Sequence, residues 1–480
     1  MKRFKGLCVG VCLVGIMAAG MQSAAAQETA KAKNVILLLP DGLGFGTLSL
    51  FESYATLYKK QPPALNRIME NGNTGYCMTS SGKYVVPEGS SGVTEIATGV
   101  KTELLRVSQD GAGNTLETIA EIAKGKGLSV GVVTTHRVSH YTTGAFIAHV
   151  KSRVMENDIA LQEADAGVDV LLGGGIKYWI PKGTTVGDVA PLTPNLGPQE
   201  VSARTDDVNL IERVKGKGYQ VVFNKEDLMT VTDGKVVGLF GASALPFSVD
   251  MRSTQESSSP SLAQMTRKAL ELLRGNEKGF FLVVVEGVVD QLLHENDPAG
   301  FLAQMQEFDA AVKEVVDFTA DYPDTVVIVA SSHDVGGVAF SAREDKTLVI
   351  ENDFGSPEDF AKLEMQKKSS HALFQEMGKD PSSAKIKEVI SNNTAYDLTD
   401  EEAMWIKVFP ADAFFPKYMG YPYGALGKIV GKKTGIAWVS QYHTALMTPL
   451  FGMGPGSEGL KGVKQTIDIF SVMKDVIANE

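Results

Sequence analysis

Four groups of residues in this chain have types and spacings that could do chemistry. Asp41 follows an apolar run directly, in Leu39-Pro40-Asp41-Gly42-Leu43-Gly44, where glycines let a ligand approach the backbone; an aspartate beside glycine is equally an ordinary turn residue. Glu286 and Asp290 lie in Val285-Glu286-Gly287-Val288-Val289-Asp290-Gln291-Leu292-Leu293-His294, and the four-residue spacing of Asp290 and His294 turns a carboxylate and an imidazole the same way on a helix. Such a pair can chelate a metal, but a capping aspartate and a surface histidine share the pattern. His333, in Ala330-Ser331-Ser332-His333-Asp334-Val335-Gly336-Gly337, again closes an apolar run, and His443 stands in Gln441-Tyr442-His443-Thr444. With only seven histidines in 480 residues, the placing of several at the ends of such runs favours a metal centre.

The elements that must position these groups are legible as short β-branched runs alternating with helical patterns. Val35 to Leu39, Val130 to Thr134, Val168 to Leu172, Gln220 to Phe223, Phe281 to Val285 and Thr325 to Val329 are near-continuous apolar stretches, as in strands buried on both faces. Thr115 to Lys124 reads as a helix, and Phe301, Met305, Phe308, Val312 and Val315 recur at helical spacing over another. The expectation is an α/β fold with a doubly wound, largely parallel sheet and helices on both faces. In such sheets ligands gather beyond the carboxyl ends of the strands. Pro181 to Thr205 lacks periodicity and reads as a surface excursion, and about 343–435 reads as an inserted cap on a single domain running from 27 to 480.

Lys2, Arg3 and Lys5 precede an apolar run from Leu7 to Ala19, and Ser23-Ala24-Ala25-Ala26 offers small residues for cleavage before Gln27. That pattern predicts a secretory signal over 1–26 and an exported protein, periplasmic or secreted. The run is too short for a membrane anchor. Cys8 and Cys12 lie in the signal, which leaves Cys77 and no internal disulfide framework. The net charge of −11 disfavours a nucleic-acid partner.

Asn34 to Gly44, Ala97-Thr98-Gly99-Val100-Lys101, Thr134 to Arg153 with Ala148-His149-Val150, Glu286 to His294, His333 to Gly337 and His443-Thr444 resemble, in this order, the landmarks of bacterial and animal alkaline phosphatases. The resemblance implies a zinc site of Asp290, His294 and His443 with an open position for chemistry. It implies a magnesium site of Asp41, Thr142 and Glu286, and an Arg153 that forks onto two phosphate oxygens. A second zinc site would use Asp41, His333 and an aspartate just before that histidine, where this chain has Ser332. Asp334 and Glu88 are the neighbouring carboxylates that could substitute.

Counting back from Ala97-Thr98-Gly99, the family's Asp-Ser pair falls on Glu88-Gly89, so glycine replaces the nucleophilic serine. Ser90 is the next hydroxyl in line; its other reading is as the cap of a helix beginning near Val93. The function implied is a metal-dependent phosphatase-like protein hydrolysing phosphomonoesters. The alternative is an impaired homologue that binds small phosphorylated or anionic ligands, and a third reading is an esterase of phosphodiesters or sulfates. A homodimer is left open.

Overall fold

Val35 to Leu39 is apolar at every position and buried throughout, which requires cover on both faces. It forms β1 (Asn34–Pro40) in the interior of a ten-stranded sheet. The computed structural model describes residues 31–190, 197–252, 258–342, 355–408 and 423–478; the predicted signal lies outside them. After β1 come β2 (Asn73–Met78), β3 (Ser129–Arg137), β4 (Val170–Gly174), β5 (Gln220–Val222), β6 (Val236–Leu239), β7 (Phe280–Glu286) and β8 (Thr325–Ala330). Four two-residue strands follow: β9 (Asp334–Val335), β10 (Ala339–Phe340), β11 (Ile436–Ala437) and β12 (His443–Thr444). The last two are β13 (Thr448–Met453) and β14 (Gly462–Gln465).

The sheet order is β14-β2-β13-β8-β1-β7-β3-β4-β6-β5. Within it β13 runs antiparallel to β8 and β2, and the other pairings are parallel. The fold is therefore α/β with a mixed, mostly parallel sheet. Side chains alternate across it. Ile36, Leu38, Leu282 and Val284 pack with Phe301, Met305 and Phe308 of the Pro298–Asp321 helix on one face. Leu37, Leu39, Val283 and Val285 pack with Ile96 and Met473 on the other. Among the described residues no helix is long and apolar enough to cross a membrane.

Each of the six predicted strands is present. Four sheet strands escaped the sequence reading, β2, β6, β13 and β14, because they are short or interrupted by glycine, proline and polar residues. The predicted helix over Thr115 to Lys124 begins later, at Ile119, because Thr118 and Glu121 form a reciprocal cap. Within 343–435 the described residues form five helices, and Phe360, Leu373, Ile390 and Ile429 from them join the same core as Ile36 and Leu38.

Candidate active site

The four parallel neighbours β8, β1, β7 and β3 end side by side, and their carboxyl ends carry the residues singled out above. Asp41 leaves β1, Glu286 closes β7, His333 leaves β8, and Thr142 follows β3 in the short Tyr141–Gly144 helix. Pairing of Pro40 with Glu286 and the Asp41 N–H bond to the Glu286 carbonyl fix the first two side by side, 3.1 Å for the bond. Gly42 has φ +78°, and a Cβ there would meet Val335 at 2.9 Å and Asp290 Oδ1 at 3.3 Å, so only glycine lets this turn pass beside the site. His443 arrives from far along the chain by one local device: β12 pairs antiparallel with β9, His443 opposite Val335, next to His333.

Asp290, His294 and His443 each bring a ligand atom to within 4.8 Å of the others. The Val288–His294 helix supplies the first two, one above the other. His294 Nδ1 is tied to the Gln441 carbonyl at 2.6 Å and His443 Nδ1 to the Pro87 carbonyl at 2.9 Å. With Nδ1 occupied, each ring offers Nε2, the arrangement by which outer partners orient metal-binding imidazoles. Two imidazoles and a carboxylate suit zinc. Burial opposes charge on Asp290, but the imidazoles of His294, His333 and His443 outweigh it and hold the carboxyl well below the usual range. Burial and the neighbouring His333 and His294 keep His443 far below an ordinary histidine, hence neutral as a ligand must be.

A second group consists of Asp41, Asp290 and His333, again within 4.8 Å. His333 Nε2 lies 3.1 Å from Asp290 Oδ1, and His333 Nδ1 lies 2.8 Å from Ser332 Oγ. Ser332 thus holds the ring and does not contribute charge. Of the neighbouring carboxylates, Asp334 Oδ2 accepts from Gly337 N at 3.2 Å and Thr444 Oγ1 at 2.6 Å, and Glu88 is engaged by Arg153. Asp290, shared by both groups, is the second carboxylate of this one. Burial and the charge of Asp290 push Asp41 up to about 7, the strain of two close carboxylates that either a shared proton or a cation relieves.

Thr142 Oγ1 donates to Asp41 Oδ2 at 3.0 Å. Glu286 is fully buried, accepts from Thr135 Oγ1 at 2.6 Å and Gln304 Nε2 at 3.0 Å, and is pushed up to about 8 by burial. These oxygen donors have the hard-ligand character that magnesium prefers.

Glu88 begins the Gly89–Thr98 helix as its N-cap. Its Oε2 accepts from Ser90 Oγ at 2.6 Å, Ser91 N at 3.1 Å and Leu105 N at 3.1 Å, while Oε1 pairs with Arg153 Nη1 at 2.5 Å. Burial opposes ionisation of Glu88, but Arg153 and these donors overcome it and hold the carboxyl below its ordinary value. The sequence expectation of a helix starting near Val93 with Ser90 as cap is corrected here: the helix starts at Gly89, and the cap is Glu88. Ser90 is fully buried with its hydroxyl given to that cap. Gly89 itself faces Tyr141: a Cβ there would lie 2.5 Å from the tyrosine oxygen.

Tyr141, Arg153, Asp290, His294 and His443 line one cavity of about 670 Å³, together with His136, His140, Glu295, His371 and Tyr423. The sequence reading assigned no role to these last five, nor to Tyr141. The only signal available was the density of His136, His140 and Tyr141 just before Thr142. His136 and His140 stack with ring centroids 3.9 Å apart, and burial holds both far below an ordinary histidine. His149, within one of the family landmarks, is elsewhere, bonded to Ser108 and Glu121.

A cluster of candidate metal ligands beyond the carboxyl ends of a mostly parallel sheet, beside a half-buried arginine, has the make-up of a metallohydrolase centre. The alkaline phosphatase family model matches residues 32–478. Alkaline phosphatase 4 of Bacillus subtilis is 30% identical over 468 residues, covering 94% of this chain and 91% of that protein. Alkaline phosphatase 3 of the same organism is 27% identical, with 97% and 94% covered. The crystal structure of Thermus thermophilus alkaline phosphatase superposes with a TM-score of 0.81 at 25% identity, covering 97% of this chain and 96% of that one. The chain belongs to the alkaline phosphatase family.

Proposed function

We propose that this protein is an exported, metal-dependent hydrolase of small phosphomonoesters. The observation that carries this reading is the convergence of Asp290, His294 and His443 in the cavity that Arg153 also lines. Zinc held by these three would polarise a phosphoryl oxygen and stabilise charge on the leaving group. Magnesium would be held by Asp41, Thr142 and Glu286. Arg153 binds two non-bridging oxygens of the ester, in the bidentate manner a lysine could not match. Glu88 aims the guanidinium from behind, so Arg153 is held in place before substrate arrives. Ser90 is the sequence's candidate acceptor, and to act it must first release Glu88.

Gly89 and Ser332 favour a second reading, a family member that binds phosphate or phosphorylated ligands without turning them over. Metal content measured beside a phosphomonoester rate distinguishes the two. Stoichiometric zinc with turnover that is lost on chelation supports the hydrolase; bound phosphate without turnover supports the binder. Export is tested by the amino terminus of the mature protein, expected at Gln27.

A further inference from the structure

We infer that the hydroxyl accepting the phosphoryl group is that of Tyr141, which fills the space left by Gly89 at the start of the Gly89–Thr98 helix. This rests on the hydrolase reading above.

Gly89 is not among the residues with positive φ, so its backbone does not call for glycine. What glycine provides here is room. A Cβ would stand 2.5 Å from Tyr141 Oη, 2.9 Å from Cε2 and 3.0 Å from Cζ, so a side chain there requires the tyrosine to shift. The phenol therefore occupies the place where this family's nucleophilic side chain begins.

Two charged or aromatic groups pack against the ring. The Arg153 guanidinium carbon lies 4.7 Å from its centroid and the His140 ring 4.0 Å, so the hydroxyl is carried on a fixed lever beside the anion-binding arginine. Tyr141 is 6% exposed, yet among the described residues nothing hydrogen-bonds its oxygen, and that oxygen is not sealed into the core. A buried tyrosine hydroxyl ordinarily finds a partner. Tyr141 lines the cavity shared with Asp290, His294 and His443.

The competing hydroxyls are committed. Ser90 donates to Glu88 at 2.6 Å, Ser91 to the Glu88 carbonyl at 3.0 Å, and Thr142 to Asp41 at 3.0 Å. Burial pushes the Tyr141 phenol well above its ordinary value, so the hydroxyl is protonated before substrate arrives and gives up its proton in the transfer step itself.

In the first step the Tyr141 Oη–phosphorus bond forms while the bond from phosphorus to the ester oxygen breaks. The phenolic proton ends on that oxygen, and the alcohol leaves. Water then attacks the phosphotyrosine, the phosphorus–Oη bond breaks, and the phenol regains a proton as inorganic phosphate departs.

The test uses the full-length mature protein loaded with zinc and magnesium. It is mixed with a phosphomonoester radiolabelled on phosphorus, quenched in acid and digested with trypsin. Cleavage after lysine and arginine puts Tyr141 in Val138 to Lys151 and Ser90 in Tyr84 to Lys101. The expected label is alkali-stable, sits on Tyr141 in the first peptide, and is absent from Tyr141→Phe, which keeps the ring and its Arg153 contact. That variant should also lose turnover by orders of magnitude while retaining its metals and thermal midpoint. Label on Tyr84 to Lys101, or Tyr141→Phe turning over like the parent, would overturn the assignment and leave the hydrolase reading intact. Failure of the parent protein to turn over any phosphomonoester would overturn both.

Discussion

Asp290 Oδ1 lies 3.1 Å from His333 Nε2, and the same carboxylate belongs to the His294–His443 group, so one side chain ties two metal-type clusters together. In a chain that has Ser332 where its family has an aspartate, that sharing concentrates the charge of both clusters on Asp290.

Asp290→Asn should therefore lower total bound zinc more than His443→Ala does, because the histidine serves one group and the aspartate two. Metal analysis of the two purified variants checks this. Equal losses would show that the groups do not share their carboxylate.

From sequence alone, Gly89→Ser combined with Ser332→Asp looks like a route to a complete family site. The structure adds an obstacle. Gly89→Ser places its Cβ against the Tyr141 phenol, and such overpacking costs about 1–3 kcal/mol. Tyr141→Ala should relieve that cost, so in a double-mutant cycle read by denaturant unfolding the two substitutions should couple favourably. Additive effects would mean that Gly89 and Tyr141 do not meet.

Ser90→Ala tests the start of the same helix. Ser90 donates to an ionised Glu88, a bond worth about 1.5–3 kcal/mol, so the variant should be measurably less stable. Glu88 keeps Ser91 N and Arg153, so turnover should change little. A collapse of turnover with unchanged stability would identify Ser90 as the acceptor.

Stability against pH reports on Glu286, which burial pushes up to about 8 from an ordinary 4.5. The folded state then binds a proton that the unfolded chain has already released. The contribution is greatest below the unfolded value and is lost as pH rises to the folded one, with a slope of at most about 1.4 kcal/mol per pH unit. His136, His140 and His443 are held below their ordinary value, so their opposing contribution is complete once pH passes the unfolded histidine range. In the metal-free protein the thermal midpoint should fall between about pH 7 and 8, and fall less in Glu286→Gln. An identical slope in the variant would count against the buried, protonated Glu286.

Much of this was legible in the chain because fully buried strands write themselves as apolar runs, and Asp41, Glu286 and His333 sit at the ends of three of them. Asp290 and His294 were legible because four residues is one helical turn. The joining of His443 to them was legible only through the family resemblance, since in the fold it depends on a two-residue pairing of β12 with β9 that has no periodicity to detect. The helix start at Gly89 was hidden by its run of glycine and serine, and its cap by the rarity of glutamate in that role. Tyr141 was invisible because its meaning lies in contact with a glycine 52 positions away.

The most direct measurement is diffraction at the zinc absorption edge from crystals of the mature protein. The account requires an anomalous peak about 2.0–2.2 Å from a carboxylate oxygen of Asp290 and from ring nitrogens of both His294 and His443, on the cavity side of Arg153. A zinc-loaded crystal with no peak between these three residues, or with His443 turned away from Asp290 and His294, would contradict it.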